Sequence, residues 1–349
     1  MSDPSRTLKP PSTDDHFQDK ARDPFSSGCA WIHDEFVPIS EARIPITDMG
    51  FTRSDLTYDV VSVWNGCFFR LDDHLSRLQR GCEKLRLVPP ISLDEIRDIL
   101  ITTVALSGLH QAYVEAIVTR GVPEPGVRDP RRVSPQFYAY AIPYVWIASE
   151  EDQARGVSLA LACDTDRIPA RSIDPTVKNF HWGDLTRALF EAYDRGASLP
   201  VLTDGTGKIT EGPGYNVFAV ADGRLYTPAT GVLEGITRKS AIELALLNDI
   251  EVIVGDVTVE LLRVADEIFL TSTAGGVMPA STLDGMPIGT RRPGPVTTWL
   301  RDGYWQLHND KRFALPVDYH RAGAGVRRPV AEQPPRSSDR LHEPPQSGR

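Results

Sequence analysis

The stretch Asp174-Pro-Thr-Val-Lys178-Asn-Phe-His-Trp182-Gly-Asp184, read together with Ile209-Thr-Glu211-Gly-Pro-Gly-Tyr-Asn216-Val-Phe218, decides how this chain is understood. In the first, a lysine lies among small and apolar residues just before a predicted helix. In the second, a glutamate stands at the foot of a strand-like run, followed by a Gly-Pro-Gly that lets backbone approach a ligand closely. Lysine is scarce: the 38 basic residues comprise 31 arginines and seven lysines. Lys9 and Lys20 lie in a polar leading segment, Lys84 on a helix face, Lys208 in a turn, Lys239 in a helical first turn and Lys311 near the end. Only Lys178 has surroundings that could bury an amine, and a desolvated amine is nucleophilic near neutral pH.

Composition narrows the rest. At 349 residues, with 41% hydrophobic and 24% charged side chains, the chain can form one large or two medium domains around a substantial core. A net charge of −9 with no basic block argues against nucleic acid or an anionic membrane as partner. No run approaches the roughly 20 apolar residues of a membrane span, and the first residues have no apolar signal-like core. Cys29, Cys67, Cys82 and Cys163 form no C-x-x-C pair and read as reduced thiols of a cytoplasmic protein. Gly205-Thr-Gly-Lys-Ile-Thr210 is not a phosphate loop, because that pattern needs Gly at Leu202 and Ser or Thr at Ile209. The eight histidines show no metal-ligand spacing, and there is no G-x-S-x-G elbow.

Residues 1–27 and 321–349 are rich in Pro, Ser, Asp and Arg and poor in large apolar side chains, so flexible tails are expected there. Between them a small α+β domain is expected over 28–145 and a larger one over 153–320. A linker at 146–152 marks where the periodic pattern pauses. Leu71, Leu75, Leu78, Cys82 and Leu85 follow a helical spacing, with Asp72 or Asp73 as candidate cap. Further helices are predicted over 92–107, 183–196, 238–247 (capped by Thr237) and 295–308. Strands are predicted over 113–119, 136–142, 157–163 and 267–272. Asp204-Gly205 and Asp222-Gly223 are hairpin signals. Helices mixed with hairpins make this α+β rather than a repeating βαβ chain.

One amine able to condense with an aldehyde and one carboxylate able to hold a pyridinium are what pyridoxal 5'-phosphate (PLP) asks of a protein. Further segments follow in order from Gly28 to Tyr319. They are Trp31-Ile-His-Asp-Glu-Phe-Val-Pro38, Asp48-Met-Gly-Phe-Thr-Arg-Ser-Asp-Leu-Thr-Tyr-Asp59, Phe69-Arg-Leu-Asp-Asp-His-Leu-Ser-Arg-Leu78, Gly235-Ile-Thr-Arg-Lys-Ser240 and Thr273-Ala-Gly-Gly276. Together they resemble the fold-type IV (class IV) PLP-dependent aminotransferases. The segments around Tyr58 and Lys178 look most like the (R)-selective amine transaminases, which are related to branched-chain and D-amino acid aminotransferases.

The resemblance implies a two-domain α+β architecture with the cofactor in the cleft, and a homodimer whose partner helps close each site. It implies Lys178 as the Schiff-base lysine, Glu211 as the carboxylate facing the pyridine nitrogen, and Arg77, Ile236, Thr237 and Thr273 as phosphate contacts. A rigid guanidinium fork and a helix N-terminus both suit a phosphate dianion. Arg53, Tyr58, Tyr113, Arg128, Trp182 and Ala274 are placed near the substrate. Arg53 departs from the histidine or tyrosine of relatives. It is expected to clasp a carboxylate, alone or with Arg128, unless it forms a surface ion pair with Asp55 or Asp59. The implied activity is transfer of an amino group between an amine or amino acid and a keto acid or ketone. A branched-chain aminotransferase and an aminodeoxychorismate-type lyase are the alternatives.

Overall fold

The computed structural model describes residues 23–320, so the expected tails at 1–22 and 321–349 lie outside the described residues. Asp23 to Ser27 forms turns, closed by Ser26 N–H to Asp23 O and Gly28 N–H to Phe25 O. Two sheets follow. The first has seven antiparallel strands in the order Ala314–Pro316, Cys67–Phe69, Leu56–Trp64, Ala112–Thr119, Gln136–Pro143, Cys29–Ile32, Glu35–Pro38. Its hairpin Cys29–Ile32/Glu35–Pro38 turns through His33 and Asp34, both left-handed (φ 51° and 62°), the geometry whose twist matches paired strands.

Strand alternation divides this first sheet cleanly. Val61, Val63, Val114, Ala116 and Val118 join the core under helices Leu71–Leu85 and Leu93–Ser107. Leu56, Tyr58, Val60, Tyr113 and Ile117 cluster on the opposite face. Gly81 lets helix Leu71–Leu85 pack closely on the sheet, since a Cβ there would overlap the Thr57 side chain. Ser92 and Glu95 form a reciprocal capping box at the start of the second helix.

The second sheet has nine strands. Its main path is Val252–Gly255, Arg224–Pro228, Tyr215–Ala221, Glu267–Ser272, Gly276–Leu283, Val157–Leu161, Leu199–Val201. Glu211–Gly212 pairs with Tyr215–Ala221, and Met286–Pro287 with Gly276–Leu283. Helices Ile236–Leu246 and Pro295–Leu307 cover one face through Phe218, Phe269, Val277, Ala241, Leu300 and Tyr304. Among the described residues no helix is long and apolar enough to cross a membrane.

Several local expectations are corrected. Asp72 and Asp73 lie inside the first turn of helix Leu71–Leu85, which starts after Arg70 in a left-handed conformation (φ 52°) with no side-chain cap. Helix Ile236–Leu246 has Gly235 at its cap position, so Thr237 lies within its first turn and is not its cap. Asp204-Gly205 closes a turn between isolated bridge partners Thr203 and Ile209 rather than between two strands. The last strand, Ala314–Pro316, returns to pair with Cys67–Phe69 of the first sheet, so the segment ending near 320 does not belong wholly to the second unit. Cys67–Phe69 would otherwise be an open edge, and Val317 packs into the first core.

Candidate active site

A cavity of about 530 Å³ lies between the two sheets. It is lined on one side by Tyr58 and Tyr113 of the first sheet with Arg77 of helix Leu71–Leu85, and on the other by Glu211 of the second sheet with Lys178 and Thr273 from the segments that flank its strands. Lys178 reaches it from the irregular segment before helix Gly183–Asp194. Its carbonyl oxygen is gripped by the first sheet: it accepts Tyr58 N–H at 3.1 Å and Thr57 Oγ1 at 2.9 Å. Its Nζ lies 4.6 Å from the centre of the Tyr58 ring. Backbone anchorage plus an aromatic floor aims a flexible amine without consuming its hydrogen bonds.

Glu211 is buried, and its carboxylate accepts Arg167 Nε at 3.2 Å and Leu233 N–H at 2.8 Å. Arg167 also donates to Asp184 at 2.6 Å. One guanidinium thus bridges the ends of the two stretches quoted at the outset. Burial pushes the Glu211 carboxyl above its ordinary value, against the pull of Arg167, the Leu233 N–H and Lys178. Nothing in the sequence marks Arg167, which sits in an aperiodic loop. Sequence reasoning misses Glu115 too: buried behind the cavity wall, it accepts from Tyr140 Oη at 2.7 Å and Tyr113 Oη at 3.3 Å. Its signal is present, since Tyr113 and Glu115 are two apart on one strand and share a face.

Arg77, Gly235, Ile236, Thr237 and Thr273 converge on another part of the cavity wall. Asp59 holds Arg77 bidentately, at 2.7 Å to Nε and 2.8 Å to Nη2, and Arg77 Nη1 donates to Glu234 O at 3.1 Å. His74 Nδ1 lies 2.7 Å from the same Asp59 carboxylate. The first-turn N–H groups at Ile236 and Thr237 have no capping side chain, because Gly235 occupies the cap position. Thr271 Oγ1, which belongs to a residue of the cavity lining, is buried without a partner among the described residues. An uncapped helix start, an orphaned hydroxyl and an aimed guanidinium fit a phosphate ester. Tyr144 Oη donates to Thr273 O at 2.6 Å and Ile147 N–H to Ala274 O at 2.9 Å, which fixes that loop against the inter-sheet segment.

Of the residues placed near the substrate, Tyr58, Tyr113, Trp182 and Ala274 line the cavity. Arg53 and Arg128 do not. Both lie outside its wall, Arg53 exposed at the end of helix Met49–Arg53 and Arg128 in a loop. The surface ion pair expected as the other outcome for Arg53 is also absent among the described residues: Asp55 pairs with Arg120, and Asp59 with Arg77.

The Asp59 pair has a measurable consequence. Burial alone would raise its carboxyl, but Arg77 and His74 outweigh that and hold it well below the ordinary carboxylate range. A depressed folded value means stability present above the unfolded value and lost as pH falls toward the folded one. Asp59→Ala, leaving Arg77 buried and unpaired, is expected to cost about 3–5 kcal/mol at neutral pH. The urea midpoint of the cofactor-free protein measures it, and the deficit should shrink on acidification.

A two-sheet scaffold with a lysine and a carboxylate facing one inter-sheet cavity, beside an anion cradle, defines an aminotransferase-like site. The amino-transferase class IV model matches residues 56–283, and the chain belongs to this family. It is 30% identical to a D-alanine aminotransferase of Listeria monocytogenes, over 77% of this chain and 92% of that protein. It is 29% identical to a branched-chain-amino-acid aminotransferase of Pseudomonas aeruginosa, over 82% and 95% respectively. In structure it is similar to a branched-chain amino acid aminotransferase of Thermobaculum terrenum solved in its PLP form. That match has a TM-score of 0.75 at 26% identity and covers 83% of this chain and 98% of that one.

Proposed function

We propose that this transferase moves an amino group between an amine or amino acid and a keto acid or ketone. Lys178 is its reacting residue, PLP its cofactor, and an (R)-amine or D-amino acid its donor. The observation that carries this reading is the single cavity lined together by Lys178, Glu211 and the uncapped first turn of helix Ile236–Leu246. When bound, PLP supplies an electron-accepting ring conjugated to the reacting carbon. Lys178 would hold the cofactor between turnovers and, with its amine free, would take the proton from the donor carbon and return it at the cofactor carbon. Glu211 keeps a proton on the ring nitrogen. Arg77, the helix start and Thr273 hold the phosphate.

The donor end is aromatic and apolar, with Tyr58, Tyr113, Tyr140, Ile142, Val145 and Trp182. The cations facing the cavity are Arg77, Arg167 and Lys178, and both arginines are already ion-paired. No spare guanidinium in the described chain offers a carboxylate a bidentate partner there, which supports an amine donor with an apolar group. The apolar lining and the branched-chain relatives favour a second reading, a branched-chain amino acid donor. Exposed Ile46 (76%) and Phe51 (64%) are apolar surface that a second copy would cover in a homodimer.

The test is the absorption spectrum of the purified protein with PLP, before and after separate additions of D-alanine, L-leucine or (R)-1-phenylethylamine. Loss of the yellow lysine-bound band with (R)-1-phenylethylamine or D-alanine supports the proposal. Conversion by L-leucine alone selects the branched-chain reading. Pyruvate release without an acceptor would select a lyase, and intersecting rather than parallel double-reciprocal lines would count against a transaminase.

A further inference from the structure

In Gly235-Ile-Thr-Arg238, the backbone at Ile236 and Thr237 opens onto the cavity, while Arg238 has no role in the site described so far. Four cations lie on or against helix Ile236–Leu246 and the turn before it. Arg77 is paired with Asp59, Arg70 with Asp73 and Glu243, and Lys239 with Asp73. Arg238 is the fourth, and among the described residues no carboxylate stands within ion-pair distance of it. It is only 9% exposed, and its guanidinium donates to neutral acceptors: Thr227 Oγ1 at 3.2 Å and Pro228 O at 2.8 Å.

A buried guanidinium without a counter-charge is costly, because neutral acceptors replace only part of its lost hydration. Burial accordingly pulls Arg238 below its ordinary basicity, and the more distant Glu234 and Glu211 do not restore it. The chain nevertheless keeps this charge in the first turn of the helix whose free N–H groups face the cavity. Arg77, which does line the cavity, has its charge cancelled by Asp59 at 2.7 Å. A dianion seated at Ile236 and Thr237 would therefore find its net positive field in the helix start and in Arg238.

We propose that Arg238 supplies the uncompensated positive charge by which this cradle selects a phosphorylated pyridoxal over the unphosphorylated aldehyde. This rests on the PLP reading above. Arg238 acts as a positioning residue through the field at the helix start, and it does not touch the ligand: its side chain is absent from the cavity wall. The bonds to Thr227 and Pro228 hold the guanidinium in place from the neighbouring strand Arg224–Pro228.

The experiment titrates the cofactor-free full chain with PLP and, separately, with pyridoxal, following the lysine-bound band. Arg238→Gln should weaken PLP roughly tenfold or more while pyridoxal stays within about twofold, and Arg238→Lys should recover most of the PLP affinity. Equal weakening toward both ligands, or none toward PLP, overturns the proposal, because a packing role carries no preference for phosphate. If Arg238→Gln yields no folded protein, the melting shift that inorganic phosphate gives the cofactor-free protein is compared across wild type, Arg238→Lys and Arg238→Met. An equal shift in Arg238→Lys with a clearly smaller one in Arg238→Met supports a charge role, and an equal shift in all three proteins, or its loss in Arg238→Lys, overturns it. A wild-type chain that takes up neither aldehyde removes the PLP reading itself, an outcome distinct from either variant result.

Discussion

Lys178→Ala is expected to reduce transamination by at least about 10³–10⁴-fold and to abolish the lysine-bound cofactor band. Two roles are lost at once. The proposed covalent attachment would disappear, and with it the only amine that the described residues place in the cavity wall to carry a proton between two carbons. The scaffold should not suffer. Lys178 reaches the first sheet through its carbonyl, which accepts from Thr57 Oγ1 and Tyr58 N–H, and alanine retains that carbonyl. The contact surrendered is Nζ over the Tyr58 ring at 4.6 Å, worth about 0.5–1 kcal/mol. Steady-state rates, the absorption spectrum and the melting temperature of the cofactor-free protein together check this. A variant that keeps the band, or turns over within about tenfold of wild type, would show that another group carries the chemistry.

What the sequence makes legible follows from how locally each signal is encoded. Lys178 stands out because its six sister lysines lie in polar settings, and Glu211 because Gly-Pro-Gly follows it. The spacing of Leu71, Leu75, Leu78 and Cys82 specifies a helix whose apolar stripe does enter the first core. Arg167 gives no such signal: it joins Glu211 to Asp184 across 44 and 17 residues of chain, and only tertiary folding sets that juxtaposition. Strand Gly276–Leu283 is hidden because Gly276 and Pro279 argue locally against a strand. Pairing with Glu267–Ser272 on one side and Val157–Leu161 on the other overrides that preference. Arg53 and Arg128 mislead for the converse reason. A guanidinium suits a carboxylate by chemistry alone, but in this chain neither lines the cavity.

Glu211→Gln is expected to lower kcat by about 10²–10³-fold while leaving the cofactor attached, because a neutral amide cannot pair with a protonated ring nitrogen as charge develops. The geometry separates this from a folding effect. Arg167 keeps its 2.6 Å bond to Asp184 in the variant, so no buried guanidinium is left unpaired. The Leu233 N–H, now on the Glu211 carboxylate at 2.8 Å, can donate to the amide oxygen instead. The pH dependence has a definite sign. Burial raises the folded value of Glu211, opposed by Arg167, the Leu233 N–H and Lys178. A raised value means the contribution of this group to stability is full below its unfolded value and is lost as pH rises through the folded one. In the cofactor-free protein the ionised Glu211 therefore costs stability at alkaline pH. The Gln variant should gain in melting temperature relative to wild type as the pH is raised from an acidic to an alkaline value. Once the cofactor is bound, its pyridinium would add a second positive partner beside Arg167, and the advantage should pass to wild type. Melting curves of both proteins at the two pH values, with and without PLP, measure this crossover. A variant with near-normal kcat and no crossover would assign Glu211 to the scaffold alone, as the acceptor that ties Arg167 to Leu233.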